Sequence, residues 1–202
     1  MQLLAKGAEA DIYRHVWQGR PAILKIRPPK TYRHPKLDEE LRRKRTVHEA
    51  SIMSDAKLAG VNTPFVYFVD PVKCEIVMEY VSGIPARDRL TGRVCRQIGI
   101  SAALLHKSQI VHGDLATSNF IISGAKVVAI DFGLAFRSER VEDMATDIRL
   151  IKEAFLSAHV ARKAAFREFM AGYTSIAGKR AAEKILENVA EIEQRGRYAR
   201  VE

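Results

Sequence analysis

Three polar residues in one short stretch have the types and spacing needed for chemistry on a phosphate. The stretch runs from Ile110 to Gly133; Asn119 lies five residues after Asp114, and Asp131 lies seventeen residues after it. Phosphoryl transfer needs a carboxylate that orients a hydroxyl or water and takes its proton, and oxygen ligands for the Mg²⁺ that bridges the phosphates. The order and spacing predict Asp114 as the base and Asn119 and Asp131 as the Mg²⁺ ligands.

The segments beside these residues predict the element that positions them. Residues 120–122 and 127–130 are short apolar runs typical of buried strands, and residues 123–124 are Ser and Gly, which favour a turn. Such a hairpin would bring Asn119 and Asp131 to one edge. The alternative is a surface hairpin with acidic ends, and three polar ligands in this order and spacing disfavour it.

A lysine and a glutamate upstream are candidates for an ion pair at the same site. Lys25 interrupts the apolar strand 22–26 and lies thirteen residues after Ile12. That position favours a lysine that contacts the α- and β-phosphates over one that extends into solvent. Glu49 lies on a long helix predicted over residues 37–58, and we expect it to hold Lys25 in place; the alternative is a surface glutamate.

The first turn of the chain contains small residues where a backbone could close over phosphates. Gly7 and Ala8 are candidate nucleotide contacts there, together with Ile12. The turn has one glycine only, and Glu9 adds a negative charge near the expected phosphates. An ordinary hairpin turn is therefore the open alternative.

A second pair of strands, at 63–70 and 74–80, ends where the chain would pass between two lobes. Backbone groups of Glu79 and Val81 are candidates for hydrogen bonds to the adenine edge, with Met78 behind the pocket. After this point the pattern becomes helical, with helices predicted up to His106 and over 141–159, 161–176 and 179–194.

One acid on the apolar side of the 141–159 helix is expected to be structural. Asp147 is either exposed at the margin of that helix or buried, accepting backbone N–H bonds from the catalytic loop, and we favour burial. The domain prediction is a β-rich N-lobe over residues 1–81, a helical C-lobe over 82–194 and a basic tail over 195–202. The predicted fold class is α+β.

Composition favours a globular protein with an anionic partner. The chain has 202 residues, 47% hydrophobic and 28% charged, and a net charge of +9 from 33 basic and 24 acidic residues. No apolar run is long enough to span a membrane, so we expect a cytoplasmic protein without membrane contact. Cys74 and Cys95 are expected to be reduced core thiols.

Two basic segments are candidate contacts for the anionic partner. Residues 42–45 form a basic belt on the long helix, and either a solvated face or a binding surface explains it. At the end of the chain, Arg195, Arg197 and Arg200 are candidates for binding RNA or a protein partner.

These motifs together resemble the small atypical kinase-ATPase subunit of the KEOPS complex, a relative of the RIO kinases. The resemblance covers essentially the whole chain and rests on residues 7–13, the Lys25 strand, residues 33–35, 45–46 and 49–50, residues 112–115 and 118–119, residues 131–133, and residues 195–197. It implies a bilobal protein-kinase-like fold that binds ATP and Mg²⁺. It further implies a partner subunit that carries threonylcarbamoyl transfer, a small companion subunit, and transfer RNA bound through the complex.

The sequence differs from ordinary protein kinases at two places, and these differences help to choose among three possible functions. Gly113 stands where those kinases have an arginine, and only thirteen residues separate Gly133 from Asp147, too few for a peptide-docking segment. The sequence favours an ATPase-type kinase within a transfer-RNA-modifying assembly. The alternatives are a free-standing kinase of proteins or small molecules and a non-catalytic RNA-binding adaptor.

Overall fold

The first part of the chain folds into a five-stranded sheet packed against one long helix. The computed structural model describes residues 1–157 and 162–198. The elements are β1 (Gln2–Lys6), β2 (Asp11–Trp17), β3 (Arg20–Ile26), α1 (Pro35–Leu58), β4 (Val66–Asp70) and β5 (Glu75–Glu79). All strand pairs are antiparallel, in the order β1-β2-β3-β5-β4. β3 is thus a central strand, which carries Lys25 into the interior.

Helix α1 presents a buried stripe that includes two acids, Asp38 and Glu49. Pro35 lies in its first turn, where the missing N–H costs nothing, and Asp38 complements the positive end of the helix dipole. Thr46, Glu49 and Met53 follow at intervals of three and four residues and are all buried. A buried carboxylate is stable only with hydrogen-bonding or charged partners, so Glu49 must meet cations from the sheet.

The second part of the chain is mainly helical and contains two small sheets. Its elements are β6 (Ile84–Pro85), α2 (Gly92–Lys107), β7 (Ile110–Val111), β8 (Phe120–Ser123), β9 (Lys126–Ala129), β10 (Phe136–Arg137), α3 (Val141–Ser157), α4 (Arg162–Ala177) and α5 (Lys179–Tyr198). One sheet has the order β6-β8-β9 and the other pairs β10 with β7. The β8–β9 pair is the hairpin that the sequence predicts around the site.

Helices α2 and α4 approach each other closely because each places a glycine at the crossing. A Cβ on Gly99 would lie 2.0 Å from the carbonyl oxygen of Phe169, and a Cβ on Gly172 would lie 2.0 Å from that of Arg96. Real side chains do not tolerate such distances, so the two backbones pack against each other directly. This contact fixes α2, which leads into the stretch from residue 110 to residue 133.

The observed elements agree closely with those predicted, apart from the end of α5. That helix continues to Tyr198, beyond the expected residue 194. Residues 158–159, expected at the end of α3, lie outside the described residues. The lobe boundary at residue 81 stays a prediction. Within the described ranges, none of the helices combines the length and apolar character needed to cross a bilayer.

Both cysteines are buried and unpaired, as expected. Burial raises the pKa of the Cys95 thiol to about 11 and also raises that of Cys74. Because the thiolate is the reactive form, we expect neither thiol to react with a disulfide reagent at pH 8 in the folded protein. Both should react after denaturation. Rapid labelling of the native protein, followed by absorbance, would contradict this placement.

Candidate active site

The β8–β9 hairpin brings the predicted Mg²⁺ ligands to one end. Asn119 directly precedes β8 and Asp131 lies two residues after β9. Phe120 pairs with Ala129, and the Ile130 N–H donates to the Asn119 carbonyl oxygen at 2.9 Å. The hairpin ladder therefore sets the separation of the two side chains.

Asp114 and Asn119 are joined by direct hydrogen bonds. The Asn119 side-chain amide donates from Nδ2 to the Asp114 backbone oxygen at 2.8 Å and to Asp114 Oδ2 at 2.9 Å. These bonds use the donor end of the Asn119 amide, so Oδ1 is the atom that remains for a cation. The exposed Asp114 carboxylate is thereby oriented beside it.

Lys25 lies at the centre of a buried cluster of charges. Its Nζ donates to Glu49 Oε1 at 2.6 Å and to Asp131 Oδ1 at 2.8 Å, which links β3, α1 and the hairpin. Arg27, two residues further along β3, donates from Nη2 to Glu49 Oε2 at 2.5 Å. Glu49 thus has one oxygen for each cation, which satisfies the requirement of its burial. Arg27 was not among the residues singled out from the sequence.

Asp131 adopts a backbone conformation that is unusual for a residue with a side chain. Its φ is +60°, in the left-handed region, where a non-glycine residue is strained and often functional. The Gly133 N–H donates to its Oδ1 at 3.3 Å. Partial burial raises the pKa of Asp131, but the charge and hydrogen bond of Lys25 outweigh this and hold the pKa below its usual value. The carboxylate is ionised at neutral pH.

The donor atoms present fit a Mg²⁺ ion held jointly with phosphates. Both hydrogen bonds of Asp131 fall on Oδ1, so Oδ2 keeps its lone pairs, and the side chain is 54% exposed. Asn119 offers Oδ1 from the same hairpin. No group of three or more His, Cys, Asp and Glu residues in the described ranges could hold a metal alone. Mg²⁺ takes its remaining ligands from phosphate and water in sites of this type.

Two adjoining cavities divide the predicted nucleotide contacts between them. A cavity of ≈ 340 Å³ contains the candidate phosphate contacts and the predicted base: Gly7, Ala8, Ile12, Lys25, Asp114 and Asp131. A second, of ≈ 270 Å³, contains the candidate adenine contacts and the buried acid: Ile12, Lys25, Glu49, Met78, Glu79, Val81, Asn119 and Asp131. Ile12, Lys25 and Asp131 line both cavities and mark their junction. The structure therefore brings together all the site residues predicted in the two lobes.

One backbone hydrogen bond limits which group of Glu79 could contact adenine. The Glu79 N–H already donates to the Phe65 carbonyl oxygen at 2.8 Å. The group that Glu79 can offer to an adenine edge is therefore its carbonyl oxygen.

Comparison with known proteins identifies the family. A model of the RIO domain matches residues 28–169, which is more than two thirds of the chain. The chain belongs to the RIO domain family. The family points to a phosphotransferase of kinase or ATPase type.

Two relatives define the similarity further. The chain is 41% identical to the KEOPS complex subunit Bud32 of Pyrococcus abyssi, over 98% of this chain and 96% of that protein. It is 46% identical to a probable bifunctional tRNA threonylcarbamoyladenosine biosynthesis protein of Methanothermobacter thermautotrophicus, over 97% of this chain and 36% of that protein. The chain thus spans about a third of the length of this bifunctional relative. The resemblance to the KEOPS kinase-ATPase subunit is confirmed.

A solved structure shows the same fold. The Rio2 kinase of Chaetomium thermophilum, in its ADP/Mg²⁺-phosphoaspartate complex, superimposes with a TM-score of 0.62 at 17% identity, covering 97% of this chain and 72% of that one. The expected α+β, protein-kinase-like fold is therefore confirmed.

In this RIO domain a buried polar network supports the loop that carries Asp114. Asp147 accepts the backbone N–H groups of His112 at 2.6 Å and of Gly113 at 2.9 Å, so the expectation of burial is confirmed. His106 lies 3.2 Å from Asp147 Oδ2 through Nε2 and 2.9 Å from the Tyr173 hydroxyl through Nδ1. Sequence reasoning missed His106 and Tyr173, because helical periodicity marks them only as core positions.

Gly113 has a steric reason to replace the arginine of ordinary kinases. Its φ is +76°, and a Cβ there would lie 2.3 Å from the Leu134 carbonyl oxygen. The loop after Asp131 passes too close for any side chain at this position.

We expect Asp147→Asn to lower the free energy of unfolding by about 1–3 kcal/mol, since an amide cannot accept at both oxygen positions and leaves a buried donor unpaired. Glu153→Gln is the matched control, because Glu153 is an exposed acid on the same helix, paired with Arg149. It should change stability by less than about 0.5 kcal/mol. Urea unfolding measures both, and equal stabilities would contradict the role of Asp147.

The segment between Gly133 and α3 is short and folds back on β7. Phe136 pairs with Val111 and Arg137 with Ile110, and α3 begins at Val141. Residues 134–140 are therefore partly engaged in this pairing, while the side chains of Leu134 and Phe136 stay exposed.

The basic tail differs from the expectation in its secondary structure. Arg195 lies on α5, is 63% exposed and pairs with Glu142 at 3.1 Å. Arg197 lies in the last turn of the same helix, and Arg200 lies outside the described residues. The predicted tail, residues 195–202, is therefore helical as far as Tyr198.

Proposed function

We propose that this RIO domain binds Mg-ATP in the cleft between its two lobes and hydrolyses or transfers the γ-phosphate. The observation that carries the proposal is the position of Lys25 Nζ, which contacts Glu49 and Asp131 where the two cavities meet. At that point Lys25 can give up its contact with Asp131 and bind phosphate oxygens instead. Its contact with Glu49 would keep the lysine side chain pointing toward the phosphates.

The remaining residues have separate roles. Asp114 takes the proton of the attacking water or hydroxyl, and its hydrogen bonds with Asn119 fix its orientation. Asn119 and Asp131 hold Mg²⁺, which neutralises phosphate charge when bound. Gly7 and Ala8 cover the phosphates from the first turn.

The second cavity receives the adenine ring. Met78 and Ile12 supply apolar surface, and the carbonyl oxygen of Glu79 and the N–H of Val81 supply the polar edge.

The activity serves a transfer-RNA-modifying assembly in the cytoplasm. The support comes from the relatives, since one is named a KEOPS complex subunit and another a threonylcarbamoyladenosine biosynthesis protein. The partners in this proposal are the transferase subunit, a small companion subunit and transfer RNA. The short segment 134–140 supports hydrolysis, self-phosphorylation or action on a bound partner over phosphorylation of free peptides.

ATP turnover by the purified chain, measured alone and with transfer RNA plus the transferase subunit, tests this function. We expect phosphate release that needs Mg²⁺ and changes when the partners are added, with little phosphate transferred to generic peptides. Efficient, saturable phosphorylation of a free peptide would favour a free-standing kinase. No turnover under any condition would favour the adaptor.

Replacing Arg195, Arg197 and Arg200 by Gln should weaken RNA binding. The slope of log affinity against log salt concentration should become shallower by about one for each lost phosphate contact. Arg195 is exposed, and a surface ion pair such as Arg195–Glu142 contributes about 0–1 kcal/mol, so melting should barely change. Replacing Arg20, Arg87 and Arg93 by Gln removes the same charge at exposed sites elsewhere on the chain and is the control. Identical salt slopes for the tail variant and the unchanged chain would assign these arginines to structure alone.

A further inference from the structure

A carboxylate from the first turn occupies the phosphate end of the cleft. Glu9 Oε2 accepts from Arg45 Nη1 at 2.6 Å, and Glu9 Oε1 accepts from Arg33 Nη2 at 3.2 Å. Glu9 lines the same cavity as Lys25 and Asp114. A negative charge at that position opposes a triphosphate unless cations neutralise it.

Arg45 is placed to meet a phosphate as well as Glu9. It lies on α1 one helical turn before Glu49, and its side chain lines the phosphate cavity while being 40% exposed. Among the described residues Glu9 is its ion-pair partner, through one of its two terminal nitrogens. A guanidinium has five N–H donors in a planar fork that suits phosphate oxygens.

Arg33 is held differently and can keep Glu9 after an exchange. Its side chain is mostly buried, and its Nη1 lies 3.6 Å from the buried carboxylate of Asp38. The two oxygens of Glu9 contact different arginines. Release of Oε2 from Arg45 therefore leaves Oε1 on Arg33, and the turn stays close to α1.

We propose that Arg45 is a further phosphate-binding residue of this cleft, paired with Glu9 until the terminal phosphate of ATP replaces that carboxylate. Arg45 lines the cavity that contains Asp114 and is absent from the lining of the adenine cavity, so it lies toward the distal phosphates. Glu9 orients Arg45 and competes with the incoming phosphate. This inference rests on the proposed function, because it assumes that ATP enters the cleft.

Calorimetry tests whether the terminal phosphate of ATP replaces Glu9 at Arg45. It measures the binding of ATP and of ADP, each with Mg²⁺, to the full chain. Arg45→Gln should weaken ATP binding roughly tenfold and ADP binding much less, since a charge-assisted contact to the terminal phosphate is lost. Lys44→Gln is the matched control, because it removes the same charge one residue away at an exposed site paired with Glu40. It should leave both affinities unchanged, and melting curves verify that each variant is folded.

Glu9→Gln shows whether Glu9 competes with phosphate for Arg45 or instead stabilises the first turn for ATP binding. Removing the competing carboxylate should tighten ATP binding a few-fold, and the gain should vanish when Arg45→Gln is also present. Weaker ATP binding by Glu9→Gln would overturn the exchange, as would equal ATP affinities of Arg45→Gln and Lys44→Gln. Absence of ATP binding to the unchanged chain would overturn the proposed function together with this inference.

Discussion

Replacing Asp114 or Asp131 by Ala will lower ATP turnover by about 10³-fold or more while leaving the fold intact. Each carboxylate acts mainly on charge or protons in the transition state, and loss of such a group raises the barrier by several kcal/mol. Both side chains are exposed, so little packing is lost. Phosphate release by the purified variants, at saturating ATP and Mg²⁺, measures the effect.

The matched control for these two variants is Asp88→Ala. Asp88 is also an exposed aspartate, lies outside both cavities and pairs loosely with Arg87 at 3.6 Å. It should keep full turnover. Near-normal turnover of Asp114→Ala or Asp131→Ala, with unchanged melting, would remove that residue from the site.

Glu49→Ala should be the most destabilising single change at the site. It leaves the buried cations Lys25 and Arg27 without their shared partner, and breaking a buried ion pair costs about 3–5 kcal/mol. Lys25→Ala should cost less, because Arg27 still neutralises Glu49. Denaturant unfolding of both variants measures the difference.

For ATP turnover we expect the opposite order, with a larger loss in Lys25→Ala than in Glu49→Ala. Below the melting temperature, Lys25→Ala loses a direct phosphate contact, whereas Glu49→Ala loses a group that only positions Lys25. Glu40→Ala is the control for both measurements, since Glu40 is an exposed acid on the same helix. If Glu49→Ala were as stable as Glu40→Ala, the buried charge cluster would not contribute as described.

The site residues close to one another in the chain could be predicted from the sequence. Asn119 and Asp131 flank two apolar runs with a turn between them, and period-two strands with a short turn specify a hairpin almost locally. Lys25 and Glu49 required a family pattern, since nothing local says that β3 and α1 face each other. Their 2.6 Å contact agrees with that pattern.

Several residues whose partners are distant in the chain escaped prediction. The Glu9–Arg45 pair spans 36 residues and the His106–Tyr173 pair spans 67, and single-residue types give no signal for such pairing. The role of Gly99 also escaped prediction. It allows α4 to approach α2 closely, and only the tertiary structure reveals that contact. The end of α5 was misplaced because apolar spacing stops before the helix does.

A crystal structure with Mn²⁺ and a non-hydrolysable ATP analogue tests the proposed nucleotide site most directly. We predict anomalous density for Mn²⁺ beside Asn119 and Asp131, phosphate oxygens within hydrogen-bond distance of Lys25 Nζ, and the adenine beside Met78. A nucleotide bound outside the two cavities, or metal density away from Asn119 and Asp131, would contradict it.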